Sequence, residues 1–498
     1  MGGALLKAKF ARPKPCETLG GHGQTSRHRS PANALAGKAY PSGIRTESSA
    51  GFPESSSVAG RFADFLARVL CARGIKMSYS IQSKEGFELN KFYEDDLSIH
   101  NWYRFVLSYP PHLVRNYLTK FNIDNRHCVL DPFCGTGTTL VECKKLGISS
   151  VGIEANPVVH LMAETKTKWD IDSASLVKHA ESIAKEARIR IIKYGNHLKT
   201  LSREQWQLII KDSISPIPLH KALVLLEVID EYYDARFNNH EKTAFAKHLV
   251  YSYSNLKFGP EVGVSSKRKI DMDVIGIWLM QVKEMADDIA SVCGRGNASA
   301  TVYLADARNG VPTIPSNSID AVITSPPYPN EKDYSRATRL ESVLLGFISN
   351  KKSLRSHKES FLRSNTRNVY VNDTDESWIA YNDRVIELAD RIENKRIELG
   401  KNSGFEKLYH KVVKNYFGGM ARHLEELKPK LRSGAKLAYV VGDQASYFRI
   451  MIQTGEILAD IARHSGYELL GIDLFRTRIS TATKEQLREE VVLLQWNG

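Results

Sequence analysis

Residues 131–139 read Asp-Pro-Phe-Cys-Gly-Thr-Gly-Thr-Thr. The stretch follows a short apolar run, Cys128-Val129-Leu130, and leads into a helical pattern that starts near Thr138 and stops at Gly147, a residue suited to a helix C-cap. Further on, residues 324–328 read Thr-Ser-Pro-Pro-Tyr, directly after the apolar run 319–323. Both motifs therefore read as loops at the carboxyl ends of buried parallel strands, where open α/β sheets bind ligands.

Around these loops the chain alternates strand and helix patterns. An aromatic-rich stretch from Asn101 to Asn122, with Ser108-Tyr109-Pro110-Pro111 in it, leads into an amphipathic helix. Strands are expected at 128–130, 150–154, 300–305, 319–323, 436–441, 467–475 and 490–496, the last two forming a terminal antiparallel hairpin. Residues 165–298 show mostly helical periodicity, as in Leu176, Ala180, Ile183, Ala184 and Ala187, and read as an insertion between the second and third strands. A second insertion, 342–412, is charged and largely helical. The expected divisions are 1–76, 77–170, 171–298, 299–341, 342–412 and 413–498.

Residues 1–76 are rich in Gly, Ser, Ala, Pro and Arg and poor in acid. Such a stretch buries too little apolar surface to offset ordering entropy, so disorder is the expectation, and an over-extended start with Met77 as initiator is favoured over a transit peptide. The 498-residue chain carries a net charge of +13, which suits a polyanionic partner without naming one. No stretch approaches a membrane span, so a soluble chain is expected. The six cysteines form no Cys-x-x-Cys pair and lack His at metal-ligand spacing, pointing to a reduced, cytoplasmic protein with no metal.

Together the two loops resemble those of the S-adenosylmethionine-dependent amino-methyltransferases of nucleic-acid bases, most closely the DNA cytosine-N4 branch. The resemblance implies a class I methyltransferase fold: a Rossmann-like, mostly parallel seven-stranded sheet with a terminal antiparallel hairpin and two helical insertions. It implies S-adenosylmethionine as cofactor. Phe133 through Gly137 matches the family's Phe-x-Gly-x-Gly signature, Gly135 and Gly137 letting the backbone approach the ligand. Asp131 is expected at the methionine ammonium. Glu154, seventeen residues after Gly137, is expected on the ribose hydroxyls, and Asp306 on the adenine amino group.

In Ser325-Pro326-Pro327-Tyr328 the resemblance implies that the Ser325 hydroxyl and the Pro326 carbonyl accept the target amino hydrogens. Pro327 stiffens the loop, and Tyr328 stacks on a base flipped out of double-stranded DNA. A nicotinamide or flavin site would run Gly-x-Gly-x-x-Gly, but position 140 is Leu; a P-loop lacks its Gly-Lys-Ser/Thr. Cytosine-C5 chemistry needs a Pro-Cys nucleophile, and the sole Pro-Cys is Pro15-Cys16 in the tail. Serine as the first motif letter favours cytosine-N4 over adenine-N6. Adenine in DNA, a base in structured RNA, and a non-catalytic nucleic-acid-binding regulator are the alternatives.

DNA contact is expected from Lys351, Lys352, Arg355, Lys358, Arg363 and Arg367, or from 255–260 with Lys267-Arg268-Lys269. Asp333, Arg336 and Arg339 either line the site or cap the next helix. A cognate restriction endonuclease would complete a defence setting. Removing residues 1–76 is expected to leave folding and methyl transfer intact; a soluble, inactive chain of residues 77–498 would contradict this reading.

Overall fold

The computed structural model describes residue 89 and residues 91–498, less 105–107, 259–261, 293, 295–297 and 481–482. The expectations for the tail, for Met77 and for Cys16, Cys71 and Cys293 lie outside the described residues. The strands are β1 (Cys128–Asp131), β2 (Ser149–Glu154), β3 (Leu256–Phe258), β4 (Val262–Val264), β5 (Ala300–Leu304), β6 (Ile319–Thr324), β7 (Leu431–Gly442), β8 (Glu468–Ile479) and β9 (Gln486–Trp496). Seven of them form one sheet in the order β5-β2-β1-β6-β7-β9-β8, while β3 and β4 make a separate hairpin. The pairs from β5 to β7 are parallel, and β9 runs antiparallel to both neighbours. This is the Rossmann-like class I methyltransferase topology.

Strand order reverses between β1 and β6, which pair in register Val129↔Ala321 and Leu130↔Val322. The carboxyl ends of these two strands are thus neighbours, and the crevice above them is the ligand position of a doubly wound sheet. Successive side chains face opposite layers, as the pleat requires. Leu130, Val322, Leu437 and Tyr439 pack with the helices Tyr409–Leu427 and Thr454–His464. Val129, Ala321, Ile323 and Ala438 pack with the helix Pro111–Phe121. Burial on both faces is why these strands read as continuous apolar runs.

The helix after β1 spans Thr138–Lys145 and closes in a Schellman motif: Gly147 sits at φ +74°, and the Ile148 amide donates to the Cys143 carbonyl at 2.9 Å. Between β2 and β5 the chain forms the helices Pro157–Thr167, Ser173–Tyr194, Pro216–Glu231, Asn238–His248 and Val274–Val292, with the β3–β4 hairpin among them. The apolar faces of the last four, including Leu176, Leu225, Phe245 and Trp278, share a core that is separate from the sheet's clusters. The helical pattern hid the hairpin, whose three-residue strands are too short to show a period.

The charged segment 342–412 is not uniform. Its helix Asp383–Glu398 lays Val385, Leu388, Ala389 and Ile392 against the sheet layer. These positions make a narrow apolar stripe that the surrounding charge obscures in sequence.

Gly137, at φ +84°, packs against the next helix: an added Cβ would lie 3.3 Å from Cα and Cβ of Ala163. At Gly152 an added Cβ would lie 2.9 Å from Cys134 Sγ and Leu140 Cδ2. Gly137→Ala and Gly152→Ala are each expected to lower the free energy of unfolding by about 1–3 kcal/mol in urea titrations; wild-type midpoints would show that the packing yields.

Candidate active site

A cavity of about 440 Å³ opens above the β1/β6 switch point. It is lined from one side by Phe133, Gly135, Glu154 and Asp306 and from the other by Ser325, Pro326, Pro327 and Tyr328. The two motifs, nearly two hundred residues apart, therefore share one chamber.

Asp131 does not line it. The residue is fully buried: Oδ1 accepts from Thr324 Oγ1 at 2.6 Å and from the Phe133 amide at 3.2 Å, and Oδ2 accepts from the Tyr109 hydroxyl at 2.8 Å. Burial raises its pKa, and these hydrogen bonds oppose the rise. Asp131, expected from the resemblance at the methionine ammonium, is enclosed by these neighbouring groups and ties the two loops together from behind the wall. Thr139, which donates to the Ile323 carbonyl at 3.1 Å, also meets the Tyr109 hydroxyl and closes the network.

The glycines divide their tasks. Gly135, at φ +52°, lines the cavity, and an added Cβ there would stand in open space, so its bare backbone forms a cradle. Gly137 is not among the lining residues, and its lack of a side chain lets the loop pack against Ala163 of the next helix. Glu154 fastens the loop, with Oε2 accepting from the Gly135 amide at 3.0 Å and Oε1 from the Asn156 amide at 2.8 Å. Each oxygen retains a lone pair for a further donor. Burial pushes its carboxyl up to about 7, against the pull of those two amides.

Asp306 lines the cavity, but the Arg308 guanidinium holds both its oxygens, at 3.0 and 2.6 Å, and the Arg308 amide binds Oδ1 at 2.9 Å. It is a braced acceptor with limited spare capacity. Next to it, His423 bridges the Ala307 carbonyl at 3.0 Å and the Tyr439 hydroxyl at 2.7 Å, and it meets the Phe133 ring edge-on at 5.1 Å. Burial lowers its pKa to about 4, so it stays neutral, Nδ1 donating and Nε2 accepting.

On the other side, the Ser325 hydroxyl donates to the Val440 carbonyl at 3.1 Å and also meets the Tyr328 hydroxyl, and its oxygen has two lone pairs with which to accept. The Tyr328 ring packs over Gly442, where an added Cβ would lie 3.1 Å from Cε2. The terminal hairpin adds residues that no motif announced: Phe475, Arg476, Arg478 and Glu489 line the cavity. Glu489 pairs with Arg476 at 2.6 Å and with Arg478 at 3.4 Å.

The basic segments also sort themselves. Lys358 is buried and pairs with Asp333 at 3.2 Å, and Arg363 is buried and pairs with Asp373 at 2.7 Å. Arg355 is tied to Glu359 at 3.1 Å. Lys358 and Arg363 serve the fold, which leaves Lys351, Lys352, Arg355 and Arg367 exposed for a polyanion. Asp333 caps the turn Tyr334–Ala337, and Arg339 binds back to Ser335; Arg336 lines the cavity. The β3–β4 hairpin contributes Val262 to the cavity wall, with Lys257 and Lys267 exposed nearby in the chain. Among the described residues no helix is long and apolar enough to cross a membrane.

Comparison with known proteins agrees with this geometry. The model of a DNA methylase family that modifies N6 or N4 amino groups matches residues 78–165. The type II methyltransferase M.BsoBI of Geobacillus stearothermophilus is 26% identical over 426 residues, spanning 78% of this chain and 82% of that protein. M.AvaI of a Nostoc species is 22% identical over 406 residues, spanning 74% and 79%. M.MjaII of Methanocaldococcus jannaschii is 35% identical over 98 residues, 19% of this chain and 18% of that protein. An open cradle at Gly135 beside a carboxylate with spare lone pairs also fits S-adenosylmethionine, the cofactor such chemistry requires. In sequence and in the geometry of its site the chain is thus similar to the S-adenosylmethionine-dependent DNA amino-methyltransferases that modify N4 or N6.

Proposed function

We propose that the protein is a site-specific methyltransferase that acts on the exocyclic N4 of cytosine in duplex DNA. The observation that carries this reading is the Ser325 hydroxyl, whose hydrogen goes to the Val440 carbonyl and whose oxygen, beside the Tyr328 hydroxyl, keeps acceptor capacity within the cavity. An exocyclic amino nitrogen is a poor nucleophile because its lone pair is delocalised into the ring. Acceptors on its two hydrogens localise that pair and aim it, and preorganised acceptors do so without reorganisation cost. Ser325 and the Pro326 carbonyl take that part, Pro327 stiffens the loop, and Tyr328 offers a face for the extruded base.

S-adenosylmethionine, when bound, supplies an electrophilic methyl group on a sulfonium. Phe133 and the Gly135 backbone would hold it, with Glu154 on the ribose hydroxyls and Asp306 on the adenine side. Asp131 would act from behind by fixing the loop, and Gly137 by letting the helix pack. The helical insertion 171–298, through its β3–β4 hairpin, and the exposed Lys351, Lys352 and Arg367 would meet the duplex. A type II restriction partner and a cytoplasmic, nucleoid-bound setting go with this reading. Eight of the thirteen net positive charges fall within residues 1–76, so the remaining chain would hold DNA by local patches rather than by overall charge.

Ser325→Ala is expected to lower the methylation rate by about 10²- to 10³-fold with cofactor affinity unchanged, and nucleoside mass spectrometry of wild-type product should show N4-methylcytosine. A wild-type rate in Ser325→Ala would remove the loop from catalysis, whereas N6-methyladenine would replace only the base.

The position of Glu154 sets a pH dependence. Its carboxylate form, the one able to accept two ribose hydroxyls, prevails above pH 7, so calorimetric cofactor affinity should fall by about tenfold from pH 8 to pH 6. The sign for stability is opposite: a raised carboxyl pKa favours the folded state at acid pH, and that contribution is lost as pH rises through 7. Glu154→Gln should bind weakly and flatten the affinity profile; an unchanged profile would exclude the carboxylate.

A further inference from the structure

The stretch after the catalytic loop is held in an unusual way. Glu331 adopts φ +64°, a left-handed conformation that a non-glycine residue avoids. Its carboxylate accepts from the Thr366 amide at 2.9 Å and from the Thr366 hydroxyl at 2.8 Å, and its own amide donates to the Ser364 carbonyl at 3.3 Å. One residue later, Asn365 Nδ2 donates to the Lys332 carbonyl at 3.1 Å, and the Lys332 amide donates to Asn330 Oδ1 at 3.3 Å. Five hydrogen bonds thus pin a strained dipeptide to residues 330 and 364–366. Strain maintained this firmly beside an active site calls for a functional reason.

The residue so presented is Lys332, which is half-buried and lines the same cavity as Ser325 and Tyr328. Of the other cations of that wall, Arg476 and Arg478 pair with Glu489, and Arg367 is exposed and lies over the Phe405 ring at 5.2 Å. Arg336 also lines the cavity, and its Nε is buried without a hydrogen-bond partner. Lys332 forms no ion pair among the described residues. Burial, then the charge of Arg478, lower its pKa, with Glu489 opposing.

We infer that Lys332 is a specificity-determining residue that donates a hydrogen bond to the 2-carbonyl oxygen of the flipped cytosine. The inference rests on the cytosine-N4 reading and names the group that selects the base. With the amino group at Ser325, cytosine presents N3 and O2 as further acceptors along the same edge. Adenine presents N1 and then a carbon-bound hydrogen, so a donor beyond the ring nitrogen is satisfied by cytosine alone. A site built around such a donor rejects the base that leaves it unpaired.

The test is a cycle that combines Lys332→Met with a duplex whose target cytosine carries sulfur in place of O2. The wild type should lose about 10- to 100-fold in kcat/KM on the 2-thiocytosine duplex, and Lys332→Met should lose a similar factor on normal cytosine. The variant on the analogue should lose little more, and Lys332→Arg should recover part of the activity. Multiplicative losses would overturn the inference. So would an equal loss on every target base with a flatter salt dependence, which would make Lys332 a phosphate contact. Should Lys332→Met fail to fold, the wild-type response to the analogue decides alone, and indifference to the thio substitution sinks the proposal. Wild-type product that is N6-methyladenine would instead overturn the underlying cytosine reading, so the two failures are distinguishable.

Discussion

The hydrogen bond from Thr324 to Asp131 joins the last residues of two adjacent strands at the point where the sheet reverses direction. The two loops that line the cavity from opposite sides begin at those two residues. A buried carboxylate without partners would be costly in so apolar a setting. Three donors, from Thr324, Phe133 and Tyr109, remove that cost and in doing so fix the relative height of the two loops. The site is therefore aligned by a polar contact below its floor, where ligands cannot disturb it.

Much of this was legible because sheet and site obey simple patterns. Strands buried on both faces leave unbroken apolar runs, and the loops after β1 and β6 carry Gly-x-Gly and Pro-Pro, residue types with few structural meanings. The roles within the loops were harder to read. Gly135 and Gly137 look equivalent in sequence, yet one faces the cavity and the other faces Ala163, a distinction set by the helix that follows β2. Asp131 has the position of a ligand contact but the surroundings of a strut, since Tyr109 and Thr324 come from distant segments. The weak Ser-Tyr-Pro-Pro signal at 108–111 was the clue to Tyr109.

The charged regions were least legible, for a general reason. A lysine or arginine looks the same in sequence whether it meets a phosphate or a buried carboxylate. Lys358 and Arg363 lie in a run of cations that suggests nucleic acid, yet each is buried and pairs with an aspartate, Asp333 in the wall of the cavity and Asp373 outside it. In the same way, Glu489 gave no motif signal, because its importance comes from antiparallel pairing that brings it opposite Arg476.

The placement of β9 has a consequence for the order in which the molecule is made. This strand is synthesised after every other strand of the sheet, yet it occupies an interior position between β7 and β8. A nascent chain lacking it presents open edges on β7 and β8 and a chamber without Glu489, so Arg476 and Arg478 are unpaired. The cofactor loop near residue 135 emerges some three hundred and fifty residues earlier and can close on its own helix. The chamber is thus complete only once β9 has entered between β7 and β8 and set Glu489 opposite Arg476.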